Sequence, residues 1–249
     1  MLIIPATIMG LISCQSDPMP DNPAHDPSCQ NKEKEESVYS DIPEIMMMEH
    51  AHAKEQFLEK DSISFRIDLQ FGGRDLLNGN IVWATNTSGG QIIKDDGEVI
   101  TVDGNQVTSS NPDAKPESLR FAAYTWSYFF LLPYKLCDPG TVWEKTTINA
   151  YGEPYNMQLT FQDGTGDAPD DWYIIHATPD HLIQEAAYIV TAGQSVEEAE
   201  EDPHSIQYSD YQNIAGVPIA TSWSFWAWNK EEGATEQLGK ATLGDLKFK

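Results

Sequence analysis

Residues 62–71 read SISFRIDLQF, and their order decides the fold class. Ile63, Phe65, Ile67, Leu69 and Phe71 alternate with Ser64, Arg66, Asp68 and Gln70. Successive side chains of a strand point to opposite faces, so this period of two places the large apolar groups on one side and the polar groups on the other, the pattern of an antiparallel strand half-buried against a core. The following sequence repeats the theme. Gly72-Gly73 and Asn78-Gly79 read as turns, residues 80–87 as a second strand, and 91–94 and 98–102 as two more, separated by Asp95-Asp96-Gly97 and closed by Asp103-Gly104-Asn105. The result is a meander of hairpins.

On the N-terminal side, residues 43–60 read as one amphipathic helix, with Pro43 in its first turn, Asp41 beside it, and Ile45, Met48, His52 and Phe57 or Leu58 along one side. On the other side, residues 119–132 are apolar almost all round and end at Pro133, which predicts a buried helix too short to span a bilayer and of a length to plug the concave face of a sheet. Strands then read at 141–150, 155–162, 172–177, 182–191, 205–214, 219–229 and 240–248, divided by turns rich in Gly, Pro, Asn and Asp. Helices outside a long run of antiparallel strands predict an α+β domain over residues 43–249, built on one strongly curved sheet.

The 249 residues carry 39 Asp+Glu against 15 Lys+Arg, a net charge of −24. Nucleic-acid binding needs a cationic surface that displaces counterions from phosphate, so the charge speaks against a nucleic-acid partner and against docking on anionic lipid by charge. With 40% hydrophobic residues the chain still has material for a sizeable core.

The N-terminus supplies an address. Residues 1–13 are uncharged and mostly apolar, and they lead into Leu11-Ile12-Ser13-Cys14, which resembles the lipobox of bacterial lipoproteins. In such proteins the segment before the cysteine is a signal peptide, and the cysteine takes a diacylglycerol and an N-acyl chain, each buried CH2 contributing about 0.8 kcal/mol to anchoring. No Lys or Arg precedes the apolar run, so the reading expects a natural start further upstream. From position 14 to 42 the chain is acidic, with Pro18, Pro20, Pro23 and Pro27, and reads as a solvated tether reaching roughly 30 Å from the membrane. Gln15 replaces the Asp of a common inner-membrane retention signal, which directs the expectation to the outer membrane. With Cys14 lipidated, Cys29 and Cys137 remain, either as a disulfide or as two free thiols.

Trp126…Phe129-Phe130-Leu131-Leu132-Pro133-Tyr134-Lys135-Leu136…Asp138-Pro139-Gly140, then Leu159-Thr160-Phe161, Trp172-Tyr173-Ile174-Ile175, Gly216-Val217-Pro218…Trp223…Trp226 and Asp245-Leu246-Lys247-Phe248, follow one another in an order that resembles a family of uncharacterised Gram-negative outer-membrane lipoproteins, related in fold to the LolA and LolB lipoprotein carriers. The resemblance covers residues 43–249. It implies a half-barrel of about eleven antiparallel strands with helices on the concave side, an architecture that in LolA-like carriers shelters acyl chains, and it brings no catalytic residues and no cofactor.

Trp126, Phe129, Phe130, Trp143, Tyr173 and Trp223 are therefore the candidate lining of a hydrophobic-ligand site, within a wider aromatic set that includes Tyr128, Phe225, Trp226 and Trp228. The same residues fill an ordinary core if the concavity is closed, and the protein is then a structural or interaction lipoprotein of an envelope complex. Trp226 and Trp228 fall on the face opposite Trp223 and Phe225, so that strand is expected to be covered on both sides. Metal and catalytic readings are weaker. His50 and His52 point to different sides of a helix, and Asp163-Gly164-Thr165-Gly166-Asp167 lacks the glycine and closing Glu of a calcium loop. His176 and His181 have no nucleophile motif beside them, and the run from Glu197 to Asp202 reads as a solvated loop. No metal site, cofactor or enzyme activity is expected.

Overall fold

The computed structural model describes residues 42–146, 156–166 and 168–249. The signal reading and residues 14–41 of the tether reading, with Cys14 and Cys29, lie outside the described residues, as do positions 147–150 and 155 of the strand readings and Asp167 of the acidic loop. The chain runs α1 (Ile42–Ala51), α2 (Lys54–Leu58), β1 (Ser62–Phe71), β2 (Arg74–Ala84), β3 (Gly89–Lys94), β4 (Val99–Asp103), β5 (Gln106–Ser109), α3 (Pro116–Leu131), β6 (Thr141–Lys145), β7 (Asn156–Phe161), β8 (Tyr173–Ala177), β9 (Ile183–Tyr188), α4 (Val196–Glu200), β10 (His204–Ile214), β11 (Val217–Asn229) and β12 (Gly233–Phe248).

The strands form one open, curved antiparallel sheet in the order β5-β4-β3-β2-β1-β12-β11-β10-β9-β8-β7-β6. There are twelve rather than eleven, because residues 106–109 pair with β4 as a short edge strand. Every pair joins strands consecutive in sequence except β1 with β12, where Ile63 faces Phe248 and Ile67 faces Leu243. That pair welds two meanders side by side. It also sends β5 and β6, which follow one another in the chain, to opposite edges of the sheet. The segment between them must cross a face, and α3 makes the crossing: its 16 residues span about 24 Å.

Pro116 opens α3 at its first turn, after an extended Lys115. Ala123, Trp126, Phe129 and Phe130, at helical spacing, are buried along one face. The Phe130 ring stacks on Phe65 of β1 with centroids 4.5 Å apart, and Trp126 and Phe129 lie 6.0 and 5.9 Å from Phe225 of β11. Ile63, Phe65, Ile67 and Leu69 all face this core, as the alternation predicts. Burying each such side chain stabilises the fold by roughly 1.5–3 kcal/mol.

Three local readings change. The helix expected over 43–60 is two helices, because Ala53 takes a left-handed conformation (φ 54°) and turns α2 onto the sheet, where Phe57 stacks on Tyr134 at 3.8 Å. The buried His52 at the break accepts a hydrogen bond from the Ile183 N–H (3.0 Å), a tertiary contact that local periodicity does not encode. Asn78-Gly79 is not a turn and lies inside β2; a Cβ on Gly79 would come 2.3 Å from the Ile93 carbonyl oxygen, so the glycine answers a close approach of β3.

The third change concerns the acidic run, whose first part is helix α4. Ser195 and Glu198 form a reciprocal cap, in which Ser195 Oγ accepts from the Glu198 N–H (3.2 Å) and Glu198 Oε2 from the Ser195 N–H (3.0 Å). The helix exists because Ala199 is fully buried against a second apolar cluster of Trp172, Ile174, Ala187, Ile189 and Trp228 on the outer face of the sheet. The two-sided cover expected for β11 is thus present: Trp223 and Phe225 face the main core, and Trp228 the outer cluster. Trp226 is half-exposed and donates from Nε1 to Ser224 Oγ (2.9 Å). No helix among the described residues is long and apolar enough to cross a membrane.

Candidate functional site

Helix α3 is apolar almost all round, but only one face enters the core. Glu117, Phe121, Tyr124, Tyr128 and Leu131 recur at helical spacing along another face, and together they border a cavity of about 590 Å³. The opposite wall comes from the far wing of the sheet and its loops: Phe161 closes β7, Tyr173 opens β8, and Tyr188 closes β9, with Val190 just beyond it. The alternation of β9 and its extension puts Tyr188 and Val190 on the side facing α3. Trp83 of β2 reaches the cavity from the near wing. The rim is open, with Glu117, Phe121 and Gly166 exposed to solvent.

The aromatic groups touch in a chain. The Tyr128 and Tyr173 rings are 5.4 Å apart, Phe161 and Tyr173 6.1 Å, Tyr173 and Tyr188 6.1 Å, and Phe129 and Tyr188 4.9 Å. Burial raises the phenol pKa of Tyr128, Tyr173 and Tyr188, so all three stay protonated donors at neutral pH.

One end of the cavity is polar. Lys135 and Asp138 line it and form an ion pair. Lys54 continues the network, with its ammonium 4.0 Å from Asp138 and 2.8 Å from Glu49. Glu49 is 9% exposed and its Oε1 also accepts the Cys137 N–H (2.8 Å); burial holds its pKa above the ordinary carboxylate value against the opposing pull of Lys54. Cys137 is disulfide-bonded, so of the two readings for the spare cysteines the free thiol is ruled out for this one. Asp171 lies on the cavity wall, and burial raises its pKa as well.

Of the six aromatic residues singled out from sequence, Phe129 and Tyr173 border the cavity. Trp126, Phe130 and Trp223 are packed in the core, Trp223 edge-on to Tyr208 with centroids 6.1 Å apart. Trp143 is half-buried on β6 and donates from Nε1 to the Leu136 carbonyl (2.8 Å). Phe121, Tyr124, Phe161, Asp171, Tyr188 and Val190 were not singled out, although the first two share the helical stripe of Tyr128 and were legible by spacing. Asp171 and Val190 reach the site from loops beside β8 and β9, and Phe161 and Tyr188 from strand ends, placements that leave no local signature. Neither His176 nor His181 borders the cavity. Among the described residues, no group of three or more His, Cys, Asp or Glu side chains comes together to hold a metal ion.

The fold is similar to that of a LolA superfamily protein from Nitrosomonas europaea, with 12% identity, 81% of this chain and 93% of that chain covered, and a TM-score of 0.47. It is also similar to a DUF1329 family protein from Desulfovibrio piger, with 11% identity, 83% and 93% coverage, and a TM-score of 0.43. No family model and no curated protein matches the sequence.

Proposed function

We propose that the protein binds the apolar part of a lipid-like ligand in the cavity between α3 and the β7–β9 wing, reversibly and without covalent chemistry, while lipid on Cys14 holds it at the outer membrane. The observation that carries this reading is the cavity itself. Its volume of about 590 Å³ falls within the roughly 300–1,000 Å³ typical of ligand pockets, and its exposed wall surface is mainly apolar, with charged groups such as Arg120, Lys135, Asp138 and Asp171 set among aromatic and aliphatic side chains. Apolar surface left open to water in this way is stabilised by any ligand that covers it.

The β1–β4 half of the sheet is filled by Phe57, Phe65 and Phe130, and this is the observation that favours the second reading, a self-filled interaction protein. One experiment separates the two. Natively purified protein should carry co-purifying lipid in mass spectrometry, and Val190→Asp, a change at a half-buried position on the cavity wall, should reduce lipid retention by about tenfold, a loss of roughly 1.4 kcal/mol, while the circular dichroism spectrum stays native. Ligand-free protein that also fails to take up both neutral and cationic dodecyl amphiphiles in solution would leave the interaction reading in place. The anchoring half has its own test: Cys14→Ala should move the protein from the membrane to the soluble fraction, and an unchanged membrane fraction would refute it.

A further inference from the structure

Among the described residues, Asp171 on the cavity wall, half-buried, has no counter-charge. Asp171 Oδ1 accepts hydrogen bonds from the Thr191 N–H (2.8 Å) and the Thr191 hydroxyl (2.7 Å), and among the described residues no cation approaches either oxygen. Both cations that line the cavity among the described residues are already engaged. Lys135 is paired with Asp138, and Arg120 donates to the Asn105 carbonyl (2.8 Å) with its guanidinium 5.1 Å from the Tyr124 ring. Tyr128 and Tyr173, whose rings are 5.4 Å apart, line the same cavity as Asp171. Tyr173 and Tyr188 are 7% and 5% exposed, and among the described residues neither hydroxyl makes a hydrogen bond, although both residues border the cavity.

A half-buried carboxylate without a counter-charge is costly, and an electron-rich aromatic face attracts cations. Both conditions meet at one place in this cavity. Building on the apolar-ligand reading above, we propose that the cavity selects an apolar ligand bearing a cationic amine or ammonium group, seated between the Asp171 carboxylate and the rings of Tyr128 and Tyr173. Burial raises the Asp171 pKa, and a cation seated beside the carboxylate offsets that cost. The net charge of −24 works in the same direction, because it raises the local concentration of cations and lowers that of anions around the rim. Anionic amphiphiles are rejected by an added unpaired charge.

The test uses the intact protein and four probes with one dodecyl chain, each titrated calorimetrically below its critical micelle concentration. Dodecyltrimethylammonium should bind at least about tenfold more tightly than neutral dodecyl maltoside, with dodecyl sulfate weakest, because a desolvated cation over an aromatic face contributes enough for that ratio. Dodecylphosphocholine identifies the source: affinity equal to the ammonium assigns the cation to a choline-type lipid headgroup, and weaker affinity to a free amphiphilic amine. Asp171→Asn, which retains an oxygen for Thr191, should bring the ammonium-to-maltoside ratio below about threefold, under about 0.7 kcal/mol. If that variant does not fold, Tyr128→Leu should lower the same ratio by removing one ring face. Equal binding of ammonium, maltoside and sulfate overturns this inference and leaves the apolar-ligand reading standing; binding of none of them overturns both.

Discussion

Phe130→Ala should lower the free energy of unfolding by about 3–5 kcal/mol, measured by urea denaturation, and leave ligand binding by the folded fraction within about twofold. Phe130 is 5% exposed and joins three elements: it sits on α3, stacks on Phe65 of β1, and lies 6.5 Å from Phe57 of α2. Phe57 in turn stacks on Tyr134 and meets the edge of Phe248 at 5.8 Å. Truncation removes the contact on which α2, α3 and the β1–β12 weld converge, and a ring-sized void surrounded by rigid rings collapses poorly. The cavity lies on the other side of α3, bordered by Tyr128 and Phe121, so its shape does not depend on this ring. A loss below about 1 kcal/mol would mean that this wing is not packed as described.

Stability should also fall as pH drops below about 6.5, by about 1.4 kcal/mol per pH unit from His52 alone. His52 is fully buried, and its Nε2 accepts the Ile183 N–H, so the proton of the neutral ring sits on Nδ1, which has no partner. Burial pushes its pKa from 6.5 down to about 3. Between those values the unfolded chain binds a proton that the folded chain refuses, so the contribution is fully present above 6.5 and is lost as pH falls toward 3. Glu49 works in the opposite sense, because its raised pKa makes the folded state the better proton binder. The comparison that isolates His52 is wild type against His52→Gln, whose amide accepts the same N–H without titrating. Between pH 7 and 4.5 the stability difference between the two should change by about 2–3 kcal/mol in favour of the variant; a difference that does not vary with pH would show that His52 is not held neutral.

Two signals made most of the fold legible. The period of two in residues 62–71 identified β1, its buried face and the antiparallel class, because in a one-sided sheet every residue reports its own side. The almost wholly apolar run of residues 119–132 before Pro133 identified α3. What misled was chemistry whose partner is distant in sequence. Gly79 reads as a turn residue next to Asn78 until β3 is seen to pass within reach of its Cα, and the run from Glu197 to Asp202 reads as solvated until Trp172 and Trp228 are seen to cover Ala199. Residues 106–109 are too short and polar to stand out, and they become a strand because β4 offers an edge.

The candidate site was less legible than the fold. Bulk and aromaticity singled out Trp126, Phe130 and Trp223 alongside Phe129 and Tyr173, since all five are large rings that gain by leaving water wherever they end up. Sequence by itself determined that many large rings would leave water, that β1 would bury one face and β11 both, and that an acidic surface would remain; composition and period are local properties and suffice for these. Only the tertiary structure decided which rings fill space and which border it. That division depends on the pairing of β1 with β12, which sends β5 and β6 to opposite edges and forces α3 across the concave face, where it packs against one wing and stands off from the other. A gap of this kind belongs to the distance between two surfaces, and no single segment of the chain encodes it.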